Sequence, residues 1–166
     1  MAGAPGGPST APRRSFDTME VKEVMTACVT VCLPSDSLKR VARTMAKLDV
    51  GWMPVGERDR LVGIVTDRDI VVRGLAGGLR GGAAVSKVMS APVRYCQERE
   101  SLDMAAFYMA DLQLRRLPVL NAQMRLVGVL SLGDISRKGP RAAAAAGKVL
   151  AGVSGATGAP QSATVP

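Results

Sequence analysis

A ten-residue pattern occurs twice in this chain, and that repetition limits what the chain can fold into more than any other property of it. Leu61 to Ile70 reads Leu-Val-Gly-Ile-Val-Thr-Asp-Arg-Asp-Ile and Leu126 to Ile135 reads Leu-Val-Gly-Val-Leu-Ser-Leu-Gly-Asp-Ile. Gly63, Thr66, Asp69 and Ile70 therefore return as Gly128, Ser131, Asp134 and Ile135, an offset of 65. Upstream, Val24-Met25-Thr26 returns as Val88-Met89-Ser90, Leu38 as Leu102 and Met53-Pro54-Val55 as Leu117-Pro118-Val119, each at an offset of 64. One residue inserted before the last strand explains the difference. A single copy is too short to bury its own apolar face well, so the two copies are expected to pack as one domain.

Each copy reads as helix, strand, helix, strand, strand, helix. Met19 to Met25 forms a short lead-in helix with Val21 and Val24 at helical spacing, echoed by Val85 and Val88. Val29 to Leu33 is expected to be a strand stopped by Pro34. Ser35-Asp36-Ser37 then caps a helix with Leu38, Val41, Ala42 and Met45 on one face. Its counterpart follows Glu100-Ser101 and carries Leu102, Ala105, Ala106 and Met109. Trp52 to Val55 and Leu117 to Leu120 are the second strands, joined by polar turns to the third, where Leu61, Val62, Ile64 and Val65 suit burial on both faces. Thr66 or Asp67 caps the closing helix. That places a hydroxyl, free backbone N–H groups and the Asp69 carboxylate together, where an anion and a ribose could both be held.

The order Val-Met-Thr, Pro-Ser-Asp-Ser-Leu, Met-Pro-Val, Gly-Ile-Val-Thr-Asp-Arg-Asp resembles a cystathionine-β-synthase (CBS) domain. The second copy resembles another, and a tandem pair is a Bateman module. The run Thr66-Asp67-Arg68-Asp69-Ile70-Val71 with Arg73-Gly74-Leu75-Ala76 after it most resembles stand-alone two-CBS bacterial proteins of the hypoxic-response type. The resemblance implies an α/β (α+β) fold, two β-α-β-β-α repeats packed about a pseudo-twofold axis with two clefts between them. Repeat 1 is expected over 18–75 and repeat 2 over 84–138, with a flexible Gly-rich linker at 76–83, a disordered tail at 1–17 and an Ala/Gly-rich tail at 139–166. It also implies a nucleotide-binding role for Gly63, Thr66, Arg68 and Asp69 in one copy and for Ser131 and Asp134 in the other, with apolar residues of the first and second strands sandwiching adenine. An ionised carboxylate is acceptor-only and suits a vicinal diol, while Arg68, Arg115 and Arg116 can complement phosphate. Arg68 adjoins Asp69, whereas Gly133 stands beside Asp134, so Asp69 is expected to carry more of the affinity. The competing account is that Thr66, Ser131 and the two aspartates only cap helices.

What these readings imply is a regulatory module binding an adenosine-type ligand such as AMP, ADP or ATP, with no cofactor required. The alternative is a structural dimerisation or protein-interaction module with empty clefts. A homodimer acting on an unknown effector protein is expected. The chain has no histidine, which removes the commonest general base and metal ligand, and no metal site or catalytic residue is expected. The net charge of +8 invites a nucleic-acid reading, yet 15 of the 22 basic and 11 of the 14 acidic residues interleave between Val24 and Ile135. No Lys/Arg cluster with interleaved aromatics occurs, and nucleic acid is not expected as a partner. Cys28 and Cys32 are too far apart in an extended segment to bridge. Cys32 and Cys96, equivalent in the repeat, read as buried thiols in a reducing cytoplasm. No apolar run suggests a membrane helix.

Overall fold

A computed structural model describes residues 19–137; the expected tails lie outside the described residues. Two hairpins form the centre. Strands β2 (Trp52–Glu57) and β3 (Arg60–Thr66) pair antiparallel in the first copy, and β5 (Arg116–Leu120) and β6 (Leu126–Ser131) do so in the second. The first hairpin turns at Arg58 and Asp59, both left-handed at φ 48° and 62°.

Helix α1 (Leu38–Leu48) starts where the Ser37 hydroxyl accepts from the Arg40 N–H at 3.2 Å and buries Leu38, Val41 and Met45. Helix α3 (Leu102–Asp111) starts likewise at Ser101 and buries Leu102, Ala105, Ala106 and Met109. Ala42, expected in the first stripe, is exposed although its counterpart Ala106 is buried. After β3 the chain makes one α turn, α2 (Asp67–Asp69), and continues as a π-helix over Ile70–Leu75. After β6 comes α4 (Leu132–Ser136).

The two lead-ins are exchanged. Val21 and Val24 pack in the core of the second copy with Leu102, Met109, Leu117 and Leu130, while Val85 and Val88 pack in the core of the first with Leu38, Met45, Val55 and Val65. Both lead-ins are 3₁₀ turns, Val21–Glu23 and Val85–Lys87, rather than α-helices. Their hydrogen bonds repeat the symmetry. Val21 N–H donates to Glu100 O and Leu102 N–H to Met19 O. Correspondingly, Val85 N–H donates to Asp36 O and Leu38 N–H to Ala83 O.

The exchange extends into the sheets. Strand β1 (Thr26–Ala27) of the first copy pairs with β6 of the second, giving the order β1-β6-β5-β4 with β4 at Cys96–Gln97. The other sheet holds β2 and β3, and single bridges from Ser90 to Ile64 and from Cys32 to Val55 stand where the outer strands would be. The strand expected over Val29–Leu33 is therefore reduced to the Cys32 bridge, because its partner offers Pro54, which has no N–H, and Pro34 stops the segment. Cys32 N–H still donates to Pro54 O at 3.0 Å.

The Gly-rich stretch is tied down. Lys39 N–H donates to Gly81 O and Leu38 N–H to Ala83 O, both at 2.9 Å, so this segment lies against the start of α1 rather than swinging free. All three cysteines are free. Burial first, then the Asp36 charge, pushes the Cys32 thiol up to about 11; burial, then Glu100, pushes Cys96 up to about 12.

Candidate functional site

Where each hairpin meets its closing helix, the repeated Thr/Ser-x-x-Asp folds into a reciprocal capping corner. In the second copy Ser131 Oγ donates to Asp134 Oδ2 at 2.5 Å and Ser131 N–H donates to the same oxygen at 2.9 Å, while Asp134 N–H donates back to Ser131 Oγ at 3.1 Å. In the first copy Thr66 Oγ1 and N–H donate to Asp69 Oδ2 at 2.7 and 2.9 Å, and Asp69 N–H returns a bond of 3.0 Å. One oxygen of each carboxylate is thus committed to the backbone corner. The other, Oδ1, faces an arginine: Arg73 forms an ion pair with Asp69 at 3.5 Å, and Arg137 donates to Asp134.

The corners differ in what lies beside them. Arg73 also donates to Val88 O at 3.1 Å and to Ser90 Oγ at 3.0 Å, so its guanidinium reaches from the first corner to the exchanged lead-in. In the second copy the position equivalent to Ser90 is Thr26, and there a cleft of ≈ 210 Å³ remains. Its walls come from both copies: Thr26, Val29, Thr30, Trp52 and Met53 from the first, and Arg116, Val129, Ser131 and Asp134 from the second. Arg116 faces Ser131 in the β5–β6 register. Asp134 is only 6% exposed, the one buried charged residue among the described residues.

The structure therefore brings together Arg116, Ser131 and Asp134 in one place and Thr66 with Asp69 in another. It does not bring the remaining candidates in. Arg68 is exposed on the first turn, its N–H taken by Asp67, and Arg115 is exposed with its carbonyl accepting from Leu132 N–H. Gly63 is buried under the other copy's lead-in, where an added Cβ would meet Met89 Sδ at 2.6 Å, so its place is one of close packing. Asp69, expected to carry more of the affinity, has Arg73 rather than Arg68 beside it, and the cleft lined from both copies lies beside Asp134. Residue reading missed Arg73 and Arg137, whose signal is a carboxylate followed by arginine at helical spacing, and did not single out Thr26, Thr30 or Trp52.

Among the described residues no helix is long and apolar enough to cross a membrane, and no group of three or more His, Cys, Asp or Glu could hold a metal.

The CBS domain family matches residues 21–74 and 85–140. The CBS domain-containing protein YhcV of Bacillus subtilis is 40% identical over 70% of this chain and 82% of its own. Among solved structures, Hypoxic Response Protein I with two coordinated zinc ions is 35% identical, with a TM-score of 0.67 over 74% of this chain and 100% of that one. CBSX2 in complex with AMP is 27% identical, with a TM-score of 0.63 over 71% and 93%. Zinc does not fit the residues described here, which lack both histidine and any cluster of donors. The doubled sequence pattern, the exchanged lead-ins and the paired corners agree with this kinship, and the chain belongs to the CBS domain family as a tandem pair.

Proposed function

We propose that this chain is a regulatory module that binds an adenosine nucleotide in the cleft beside Asp134 and acts on another protein as a homodimer, without catalysing a reaction itself. The observation that carries the reading is the composition of that cleft. An aromatic and aliphatic slot (Trp52, Val29, Met53) lies against a hydroxyl and carboxylate corner (Ser131, Asp134) and a cation (Arg116). A base stacks on an indole at about 1–3 kcal/mol. A ribose diol donates to the outer Asp134 oxygen, which retains acceptor capacity beside Arg137, and a phosphate pairs with Arg116. The cleft is smaller than the roughly 300–1,000 Å³ of drug-sized ligand pockets. Base and ribose fill it, and the phosphate lies at the mouth. The AMP complex of CBSX2 supports the ligand class. A second reading, a structural module with empty clefts, draws on the capping corners, which satisfy every hydroxyl they contain without a ligand.

Trp52 is the chain's one tryptophan, so its fluorescence reports this cleft alone. Titration with AMP is expected to quench it to saturation. Asp134→Asn and Arg116→Ala each weaken binding roughly tenfold to hundredfold, the loss of a charged hydrogen bond worth about 1.5–3 kcal/mol. Asp69→Asn changes it little, and circular dichroism checks each fold. If neither fluorescence nor calorimetry detects AMP, ADP, ATP or adenosine, the empty-module reading replaces this one.

A further inference from the structure

At the end of the hairpins opposite the capping corners lies a cavity of ≈ 460 Å³ that the nucleotide reading leaves unused. Strand β3 runs from this cavity at Arg60 to the corner at Thr66, a span of roughly 20 Å. Val31, Leu33, Leu61 and Leu126 give the cavity an apolar lining, and three arginines at the two hairpin turns, Arg58, Arg60 and Arg125, line it too. Asp59 is the one acidic residue among them. Its pair with Arg125, at 3.9 Å between side chains 77% and 64% exposed, is too open to neutralise either charge firmly. Arg58 and Arg60 are exposed and make no ion pair among the described residues.

The apolar wall is fixed in place. Cys32, between Val31 and Leu33, donates its N–H to Pro54 O at 3.0 Å and accepts from Gly56 N–H at 2.9 Å, and Leu33 N–H donates to Asp36 Oδ2 at 2.9 Å. Val31 and Leu33 are nevertheless 44% and 53% exposed, two aliphatic side chains displayed on a held backbone. The fold does not require this. In the second copy the equivalent residues are Tyr95 and Gln97 and the turn is the uncharged Asn121-Ala122-Gln123-Met124, yet Cys96 still pairs with β5 and the hairpin still closes.

Resting on the reading that the chain acts on another protein, we infer that this cavity is where that protein docks, through a segment in which an aliphatic or aromatic side chain is flanked by Asp or Glu. Sites for small ligands enclose a few precisely placed polar groups. Here the cations are all exposed beside a half-open apolar pair, which is the layout of a protein interface. Guanidinium groups take carboxylates in bidentate pairs, and the surplus of positive charge favours encounter with an acidic segment. No aromatic ring lines the cavity, so nothing there stacks a nucleic-acid base. The chain's own ends do not supply the occupant, since Asp17 is the sole acidic residue of 1–18 and 138–166 against five basic ones. The placement also suits regulation: Thr30 lines the nucleotide cleft and the next residue, Val31, lines this cavity, so ligand and partner bear on one short segment.

The probe is a phage-displayed library of random peptides selected on the native full chain. Enriched sequences are expected to place Asp or Glu on both sides of Leu, Ile or Phe, and the corresponding synthetic peptides to bind in fluorescence anisotropy. Arg58→Gln/Arg60→Gln should weaken them roughly tenfold to hundredfold, as loss of charged hydrogen bonds does. Leu33→Gln, which installs the second copy's residue, should weaken them roughly tenfold. Both variants are expected to keep the AMP response of Trp52, so this inference and the ligand reading fail separately. No enrichment, enriched peptides lacking acidic residues, or peptides that bind both variants as they bind the native chain overturn the inference. Pyrophosphate or a single-stranded oligonucleotide bound through the same arginines, with no peptide enriched, replaces the protein partner by a small anion or a nucleic acid.

Discussion

Gly128 and Gly63 sit at the tightest points of the exchange, but not equally. A Cβ on Gly128 would lie 2.6 Å from Met25 Sδ and 2.8 Å from Thr26 O, and the latter is backbone in a paired strand that cannot step aside. For a Cβ on Gly63 the three nearest atoms all belong to the Met89 side chain, which is flexible. Gly128→Ala is expected to destabilise by about 1–3 kcal/mol, as overpacking does, and Gly63→Ala by less. Urea unfolding of both variants checks the order, and equal losses would show that the Thr26 carbonyl is not the obstacle. The corners themselves were legible from single residues, because Thr/Ser-x-x-Asp is the spacing at which a cap closes on itself. The arginine was not. Arg68, which the sequence reading gave to a phosphate, is next to Asp69 in the chain, but neighbours on a helix do not face each other, whereas a residue four on does; the arginine that pairs with Asp69 is Arg73.

Among the elements, α1 and α3 were read with their caps and, Ala42 excepted, their core stripes because amphipathic spacing is a local signal, and the central hairpins because polar turns divide aliphatic runs. The exchange of the lead-ins was not legible. Val21 and Val85 stand at equivalent places in the two copies, so the pattern is identical whether each packs on its own repeat or on the other, and only tertiary contact decides. Val85 is fully buried in the core of the first copy. Truncating it by two methyl groups through Val85→Ala is expected to cost about 2 kcal/mol. In native-state hydrogen exchange the loss should appear at α1 and β3 at least as strongly as at α3, although Val85 belongs by sequence to the second repeat. Deprotection confined to α3 would contradict the exchanged packing.

For the molecule as a whole, the exchange means that neither repeat owns a complete core or a complete cleft: Asp134 and Ser131 come from one copy, Trp52 and Thr26 from the other. Fragments 19–77 and 78–137 are each expected to lack cooperative thermal unfolding when alone and to regain it when mixed, seen by circular dichroism and gel filtration. A fragment that melts cooperatively on its own would show that the repeats are independent domains. Two identical single-repeat chains could trade their lead-ins in the same way, so the tandem has the connectivity of a swapped dimer with its halves joined end to end. The two corners of that arrangement each carry an arginine, but only Arg73 also reaches the opposing lead-in, and a cleft stands beside the corner of Arg137.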